Sequence, residues 1–293
     1  MKRAATCLLS FVLLTLSVRA AKTYPASGLI LQVDRTRLSV SVSCPAIPGY
    51  RDESVMTLPV HDAQALTGLA PGLLIDFVLT LQNDKAYAEQ IRIHRYENTA
   101  QEPMAARQLE ILDAATSGSS KAGGLQLGQV VPDFTLTDQH RRDVTLSGLG
   151  SKVVAITFIY TQCPLPNFCF RMSNNFGALH RRFAAKMGKD LVLLSVSFDP
   201  QHDQPEVLAD YARSWAKDDT GWHFLTGPLP EVQKICRSFG VNFWQDEGFL
   251  THSLHTILLD RQGRLVANLE GNEYTAKQLG DLVAILLEPP SVN

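Results

Sequence analysis

The sequence predicts a small all-β barrel of OB type followed by an α/β domain with a thioredoxin-like fold. In the first part, five short strand-like runs are separated by Gly and Pro, which is typical of a small barrel. In the second part, strand and helix patterns alternate, which indicates a largely parallel sheet with helices on both faces. Two cysteines directly after the first long strand of this part favour the thioredoxin-like arrangement.

The chain divides into four predicted segments. Residues 1–20 are expected to be a signal peptide, 24–98 the barrel, 99–125 a linker and 126–289 the α/β domain. The linker includes AATSGSSKAGG at residues 114–124, which is small and polar and has no apolar period. We therefore expect a flexible tether between the two domains.

The N-terminal segment indicates export. Lys2 and Arg3 form a positive region, residues 4–18 an apolar core, and small residues flank Arg19 where cleavage is expected. The apolar core is shorter than the roughly 20 residues that cross a bilayer. We expect a periplasmic or secreted protein, associated with the inner membrane if the signal segment is retained.

Composition narrows the classes of function and partner. The chain has 293 residues, with 27 Lys and Arg against 29 Asp and Glu, so nucleic acid is not an expected partner. Outside the signal segment there are four cysteines, Cys44, Cys163, Cys169 and Cys236. Only Cys163 and Cys169 lie close together, which points to chemistry at that pair. Cys236 shares a helical face with apolar residues and is expected to be buried.

The strand and helix patterns follow in order along the chain. In the barrel, a hairpin is expected at residues 28–42 around Asp34, with further strands at 56–60, 73–81 and 89–96. In the second domain, strands are expected at 134–136, 144–146, 153–160, 191–198, 222–225, 256–260 and 265–269. Helices are expected from Met172 onward and at 206–215, 231–239 and 275–287.

The stretch at residues 153–172, VVAITFIYTQCPLPNFCFRM, is the candidate functional site. An apolar strand leads to Cys163, a loop stiffened by Pro164 and Pro166 leads to Cys169, and an amphipathic helix follows. Partial positive charge at a helix N-terminus favours the thiolate, which is the form that attacks disulfides and binds soft metals. The residues alone leave three interpretations open: a structural disulfide, a redox pair or a metal site.

A metal site would need a third ligand, and histidine is the expected donor. His252 and His255 both lie just ahead of the strand predicted at 256–260. In an extended chain, an offset of three places two side chains on opposite faces. We therefore expect only one of these histidines to face the cysteines.

Several segments of the second domain resemble the SCO/SenC family of copper proteins. They are FTLTDQHRRDVTLSGLGSKVVAITFIYTQCP, SVSFDPQHDQPEVLADYA, WHFLTGPLPEVQKICRSFGV and HSLHTILLDRQG, within residues 127–270. The resemblance implies a thioredoxin-like fold and copper ligands at Cys163, Cys169 and, by register back from Gly263, His252. It also implies a metallochaperone that delivers copper for assembly of cytochrome c oxidase (CuA), with an oxidase subunit or another cuproprotein as client.

The cysteine loop departs from that family in length. The family has three residues between its cysteines, whereas this chain has five, PLPNF. Two thiolates and an imidazole suit Cu(I), and the imidazole also accepts Cu(II), whereas zinc prefers a fourth ligand.

A thiol-disulfide oxidoreductase is the alternative function. Cys163 would attack a partner disulfide, Cys169 would resolve the mixed disulfide, and a thiol reductase would be a further partner. A redox sensor is a third hypothesis. Thioredoxin-type reductases carry a cis-proline at the register position of His255, and its loss here favours the metallochaperone.

The barrel carries a weaker resemblance, to CusF-like copper-binding barrels. In SVSCPAIPGYRDESVMTLPV, Cys44 stands where that pattern has histidine and Met56 where it has methionine. Arg51 and Leu58 replace its two other methionines. Cys44 and Met56, together with His255, are therefore the weaker metal candidates. The alternative is a barrel that serves for docking, with Cys44 as a free thiol.

Overall fold

A computed structural model describes residues 22–82, 85–94, 124–246 and 249–288. The predicted signal segment lies outside these ranges, as does the predicted linker apart from residues 124 and 125. Within the described ranges, no helix is both long enough and apolar enough to span a membrane.

The first domain is a five-stranded antiparallel sheet in the order β3-β2-β1-β4-β5. Its strands are β1 (Lys22–Asp34), β2 (Ser39–Cys44), β3 (Ser54–Pro59), β4 (Leu74–Gln82) and β5 (Lys85–Ile93). The first turn forms at Asp34, whose carboxylate accepts from the backbone N–H groups of Thr36 and Arg37 at 3.0 and 2.8 Å. Such local bonds are the reason that Asp favours turns. The five strands expected in this domain are therefore observed.

The sheet of the first domain is open in the described residues. β3 and β5 are its two edges, and their Cα atoms approach to within 8 Å without forming a ladder. A closed barrel requires backbone pairing around its whole circumference. The strand content of the expected OB-type barrel is therefore observed, whereas its closure is not.

The second domain is built on a seven-stranded sheet in the order β14-β13-β8-β9-β10-β6-β7. Its strands are β6 (Thr135–Asp138), β7 (Asp143–Thr145), β8 (Val153–Ile159), β9 (Leu191–Ser197), β10 (Trp222–Thr226), β13 (His255–Leu259) and β14 (Leu265–Glu270). Only β8–β9 and β9–β10 pair in parallel. The prediction of a largely parallel sheet is wrong, because two hairpins, β6–β7 and β13–β14, add antiparallel strands at both edges.

The helices of the second domain lie on both faces of this sheet. They are α1 (Arg171–Arg182), α2 (Pro205–Arg213), α3 (Leu229–Ser238) and α4 (Ala276–Leu287). Thr256 of β13 lies 3.9 Å from Met172 of α1 and pairs with Thr157 of β8. Phe158, the next residue of β8, packs on Phe239 at the end of α3, with ring centroids 6.2 Å apart. Because successive strand residues point to opposite faces, α1 and α3 cover opposite faces of the sheet.

The two domains share a packed interface. Leu29 and Leu31 of β1 belong to the core of the second domain, whereas Ile30 between them belongs to the core of the first. Both faces of β1 are therefore buried. At Gly72, φ is +88°, and a Cβ atom there would lie 2.9 Å from Cβ of Ala267 in β14. The flexible tether expected from the linker composition therefore does not keep the domains apart.

A buried polar contact joins the same two domains. The hydroxyl of Ser43 in β2 donates to the carboxylate of Asp281 in α4 at 2.7 Å, and the side-chain amide of Gln278 donates to the backbone carbonyl of Ser43 at 3.0 Å. Ser43, Gln278 and Asp281 are all buried. Because buried polar groups must be paired, these bonds also specify the register in which the domains meet.

Candidate metal centre

The cysteine loop begins where β8 ends, and a buried carboxylate holds its first residue. The backbone N–H and hydroxyl of Thr161 donate to Asp203 at 3.1 and 2.5 Å, and the hydroxyl of Ser197 donates to it at 2.5 Å. Asp203 is fully buried. Burial raises the pKa of its carboxyl, against the opposing effect of the bonds from Ser197 and Thr161. Asp203 therefore fixes the direction in which the chain leaves the sheet.

The segment between the cysteines folds into one irregular turn. Pro166–Phe170 forms one irregular turn before α1, kinked at Phe168, whose angles are non-helical at φ −107° and ψ −111°. Phe168 and Cys169 are each 1% exposed, whereas Phe170 is 59% exposed. The turn directs Cys169 inward, and Cys163 at the start of the loop remains half-buried.

His252 reaches the cysteines from a hairpin that the sequence did not predict. β11 (Phe243–Asp246) pairs with β12 (Phe249–His252), which ends on the histidine. Nδ1 of His252 lies 3.0 Å from the backbone carbonyl of Ser253. Because a carbonyl only accepts, Nδ1 carries the proton and Nε2 keeps the lone pair that a metal requires. A backbone carbonyl of this kind commonly orients a metal-binding histidine.

Three aromatic rings surround the imidazole of His252. The centroid distances are 4.6 Å to Phe198, 6.0 Å to Tyr160 and 6.0 Å to Phe168, and the last two rings meet it edge-on. None of these rings is more than 4% exposed. They fix the ring plane of the histidine and exclude water from its sides.

The donor atoms of Cys163, Cys169 and His252 lie within 4.8 Å of one another. Nε2 of His252 lies 3.7 Å from Sγ of Cys169. Elsewhere in the described ranges, no other group of three or more His, Cys, Asp or Glu side chains meets this distance limit. The arrangement offers two sulfur ligands and one nitrogen ligand to a single ion, and the same two thiols are close enough for disulfide chemistry.

The two thiols have opposite acid–base character. A hydrogen bond from Cys169 lowers the pKa of the Cys163 thiol to about 4, against the opposing effect of burial. Burial, and then the neighbouring Cys163 sulfur, raises the pKa of Cys169 well above its ordinary range. Cys163 is therefore the nucleophilic and more accessible thiolate, and Cys169 is the buried thiol that supports it.

His255, the weaker histidine candidate, lies outside this group of three donors. Its Nδ1 lies 2.8 Å from Oδ1 of Asn268, whose amide nitrogen donates to the backbone carbonyl of Phe239 at 2.9 Å. This chain of contacts orients His255 toward β14. The structure therefore places His252, and not His255, at the cysteines.

Cys44 and Met56 lie together in the core of the first domain. Their strands pair so that Val42 opposes Met56 and Cys44 opposes Ser54, which puts both sulfurs on one face of the sheet. Cys44 is 1% exposed and Met56 6% exposed. Burial raises the pKa of the Cys44 thiol to about 12. They are separate from the donors at Cys163.

The sequence interpretation left two features of this site unassigned. They are the buried carboxylate of Asp203 and the inward ring of Phe168. The available signals were an acidic residue after a strand's carboxyl end and an aromatic residue directly before Cys169. Cys236 is buried as expected.

Comparisons with known proteins give a family match and several relatives. The SCO1/SenC family profile matches residues 123–287. The chain is 28% identical over 153 residues to the SCO1 protein homolog of Bacillus subtilis, and 28% identical over 151 residues to the mitochondrial SCO1 protein of Saccharomyces cerevisiae. These matches cover 51% and 49% of this chain, and 78% and 49% of the respective relatives.

A solved structure gives the same result. A SCO1/SenC family lipoprotein from Bacillus anthracis superimposes with a TM-score of 0.50 at 25% sequence identity. The superposition covers 55% of this chain and 97% of that protein. This share of the chain is about the length of the segment at residues 123–287 that the family profile matches.

Proposed function

The chain belongs to the SCO1/SenC family, and on that basis we propose that it is a copper metallochaperone that serves cytochrome c oxidase (CuA) assembly. Copper is its cargo, held by Cys163, Cys169 and His252. The observation that carries the proposal is the approach of these three donor atoms to within 4.8 Å of one another. The client is an oxidase subunit or another cuproprotein.

The donor set suits copper. Two thiolates and a neutral imidazole are soft ligands in a low coordination number, which Cu(I) accepts readily. A structural zinc site would normally have four ligands. In the described part of the chain no further His, Cys, Asp or Glu joins the cluster. The chemistry therefore favours copper over zinc.

The burial pattern suits a carrier that must also release its cargo. Cys169 and His252 are 1% and 2% exposed, whereas Cys163 is half-buried. A client's ligand would approach on the side of Cys163, and copper would pass by exchange of one ligand at a time. Because Cys163 is the least buried of the three donors, it is the ligand that a client can reach first.

A thiol-disulfide oxidoreductase is the second candidate, favoured by the contrast between the two thiols. The Cys163 thiolate would attack a partner disulfide and release one partner thiol. Cys169 would then lose its proton, attack Cys163 and release the second thiol, leaving a Cys163–Cys169 disulfide. A thiol reductase partner would have to reduce that disulfide again. The same partner would serve the metallochaperone, which needs both thiols reduced.

The location and the first domain complete the proposal. The protein acts in the periplasm or another exported compartment, at the inner membrane if its predicted signal segment is retained. The domains are the signal segment, an OB-type barrel at 24–98, a linker at 99–125 and the copper domain at 126–289. The barrel serves for docking, since among the described residues no cluster of three His, Cys, Asp or Glu donors forms around Cys44.

Copper stoichiometry tests the proposal. The reduced, signal-free chain is loaded with Cu(I) beside the Cys163→Ser, Cys169→Ser, His252→Ala and Cys44→Ser variants. One bound copper, lost in the first three and kept in Cys44→Ser, is the expected result. No retained copper, with disulfide exchange that needs both cysteines but not His252, would instead establish the oxidoreductase.

A further inference from the structure

We propose that Asn272 is a positioning residue for the copper site, because its side chain ties the cysteine loop to the segment that carries His252. The inference rests on the proposed copper-binding function and deepens it by naming a residue that controls how firmly copper is retained. Asn272 acts on the backbone of the loop and is not itself proposed as a ligand.

The side chain of Asn272 contacts the cysteine loop through a hydrogen bond. Its amide nitrogen donates to the backbone carbonyl of Asn167 at 2.5 Å. Because a carbonyl only accepts, the amide nitrogen of Asn272, and not its oxygen, faces Asn167. Asn167 lies two residues before Cys169, within the five residues that separate the two cysteines. The bond therefore acts on the part of the loop that leads into the buried cysteine.

The cysteine loop depends on this bond for its connection to distant parts of the chain. Within the loop, the N–H of Phe168 donates to the carbonyl of Leu165 at 3.1 Å, which is a local bond. In the described part of the chain, only the bond from Asn272 joins residues 164–168 to a hydrogen-bond partner outside residues 160–172. Asn272 therefore supplies a long-range restraint that the local bonds do not provide.

The residue before Asn272 is bonded to the histidine side of the site. The backbone N–H of Gly271 donates to the carbonyl of Leu254 at 2.8 Å, and Leu254 lies two residues after His252. At Gly271 φ is +80°, a conformation that glycine adopts without strain. Two successive residues thus link the segment that bears His252 to the loop that bears Cys169.

Tyr274 holds the chain on the other side of Asn272. Its hydroxyl lies 2.5 Å from the hydroxyl of Thr256 in β13 and 3.3 Å from Sδ of Met172 at the start of α1. Tyr274 is 1% exposed. Because Gly271 and Tyr274 are both anchored, the amide of Asn272 is presented to the loop from a fixed backbone.

A restraint of this kind should affect how long copper stays bound. Donors on separate segments bind one ion well only when supporting contacts hold those segments in place. Sγ of Cys169 and Nε2 of His252 lie 3.7 Å apart, and Asn272 joins the backbones that carry them. Loss of one such hydrogen bond changes an equilibrium by about 3- to 10-fold.

The test measures Cu(I) release and the mobility of the loop separately. The reduced chain is loaded with Cu(I) and mixed with excess chromophoric Cu(I) chelator, and the release rate is taken where it no longer depends on chelator concentration. Amide hydrogen exchange of residues 163–170 is measured on the reduced, metal-free chain. The variants are Asn272→Leu, which keeps a similar size without a donor, and Asn272→Gln, which keeps the amide.

Glu273→Gln is the matched control. Glu273 is adjacent to Asn272, but its carboxylate lies 3.0 Å from Nε2 of His94 in the first domain. Both side chains of this pair are 41% exposed, and pairs at such positions contribute little to stability. Glu273→Gln should therefore release Cu(I) at the parent rate.

The expected result is faster release together with a local change in exchange. Asn272→Leu should release Cu(I) about 3- to 10-fold faster than the parent protein. Exchange should accelerate at residues 163–170 and stay at the parent rate in β8 and β9, which a general loss of stability would not produce. Asn272→Gln should recover most of the parent retention.

The remaining outcomes distinguish the possible failures. If the parent protein binds no Cu(I), the proposed function fails. If it binds Cu(I) and Asn272→Leu releases it at the parent rate, the positioning role is overturned and the proposed function stands. Equal acceleration in Asn272→Leu and Asn272→Gln would overturn the role assigned to the amide donor. If Asn272→Leu does not fold, Asn272→Ala decides: faster release supports the proposal, and an unchanged rate overturns it.

Discussion

The Sγ atom of Cys169 lies 3.7 Å from Nε2 of His252, although His252 follows 83 positions later in the chain. The cysteine is directed inward by an irregular turn after β8, and the histidine stands at the end of the β11–β12 hairpin. The metal centre therefore depends on an irregular turn and a short hairpin that meet at the end of β8.

The two histidines should differ sharply in their effect on copper. His252→Ala should weaken Cu(I) binding by more than about 100-fold, because it removes a direct ligand. Substitution of a residue that only orients a ligand usually weakens metal binding by about 10- to 100-fold. His255→Ala is the matched control and should leave the affinity within a factor of a few, since His255 is oriented toward Asn268. Competition with a chromophoric Cu(I) chelator measures both. Equal losses in the two variants would show that the assignment of the third ligand is wrong.

Alkylation of the metal-free, reduced chain should select Cys163 at mildly acid pH. The pKa of its thiol is lowered to about 4, so the reactive thiolate is present at pH 5 and above. Below pH 4 the rate should fall by about tenfold per pH unit, as the thiolate becomes protonated. Cys44 and Cys236, whose pKa values burial raises to about 12, should remain unmodified in the folded protein. Mass spectrometry after timed quenching gives the rates, and a rate at Cys163 that still rises between pH 6 and 8 would contradict the lowered pKa.

Asp281→Asn should weaken the coupling between the two domains. Burial alone would raise the pKa of Asp281, but hydrogen bonds from Lys277, Ser43 and Arg182 outweigh it, and the net pKa is lowered. Loss of the charged acceptor should cost about 1–3 kcal/mol at pH 7. The pKa of Asp281 is lower in the folded chain than in the unfolded chain, where it is about 3.9. Its carboxylate therefore stabilises the fold at pH values above about 3.9, and this stabilisation is lost as the pH falls through the folded-state pKa.

Urea unfolding at pH 7 and at pH 3 measures this effect. The difference between Asp281→Asn and the parent should shrink at the lower pH, because below about 3.9 the parent takes up a proton at this carboxyl when it unfolds. Asp210→Asn is the control, since Asp210 is paired with Arg213 at the surface and is 72% exposed. Its change should stay within about 0.5 kcal/mol at pH 7. A pH-independent difference for Asp281→Asn would contradict the role assigned to its charge.

Asp203→Ala should loosen the cysteine loop without touching a metal ligand. Three donors, two on Thr161 and one on Ser197, would lose their buried acceptor. The expected cost is at least about 3 kcal/mol, since each unsatisfied buried donor costs about 1–3 kcal/mol. Copper should also dissociate faster, because the segment before Cys163 is no longer held. Asp52→Ala, at an exposed position, should change neither the stability nor the release rate. A copper release rate unchanged in Asp203→Ala would limit Asp203 to a role in folding.

The docking of the two domains had a signal in the sequence. Leu29, Ile30 and Leu31 are three consecutive apolar residues in a strand, a pattern typical of burial on both faces. In the rest of this hairpin, apolar and polar residues alternate, which predicts a strand with one exposed face, and the small, polar linker predicts two domains that do not pack on each other. The composition of a linker does not show whether the surfaces of the two domains are complementary.

Residue chemistry and local spacing were sufficient to predict the strands, the helices and a soft metal or thiol site around Cys163 and Cys169. These features depend on short-range periodicity and on the intrinsic properties of sulfur and imidazole, and both can be read directly from residue types and their spacing. The mixed sheet, the β11–β12 hairpin, the carboxylate of Asp203 under the loop and the inward ring of Phe168 were decided by the tertiary structure. Each of these depends on contacts between segments far apart in the chain, whose free energies are settled only when the whole core packs.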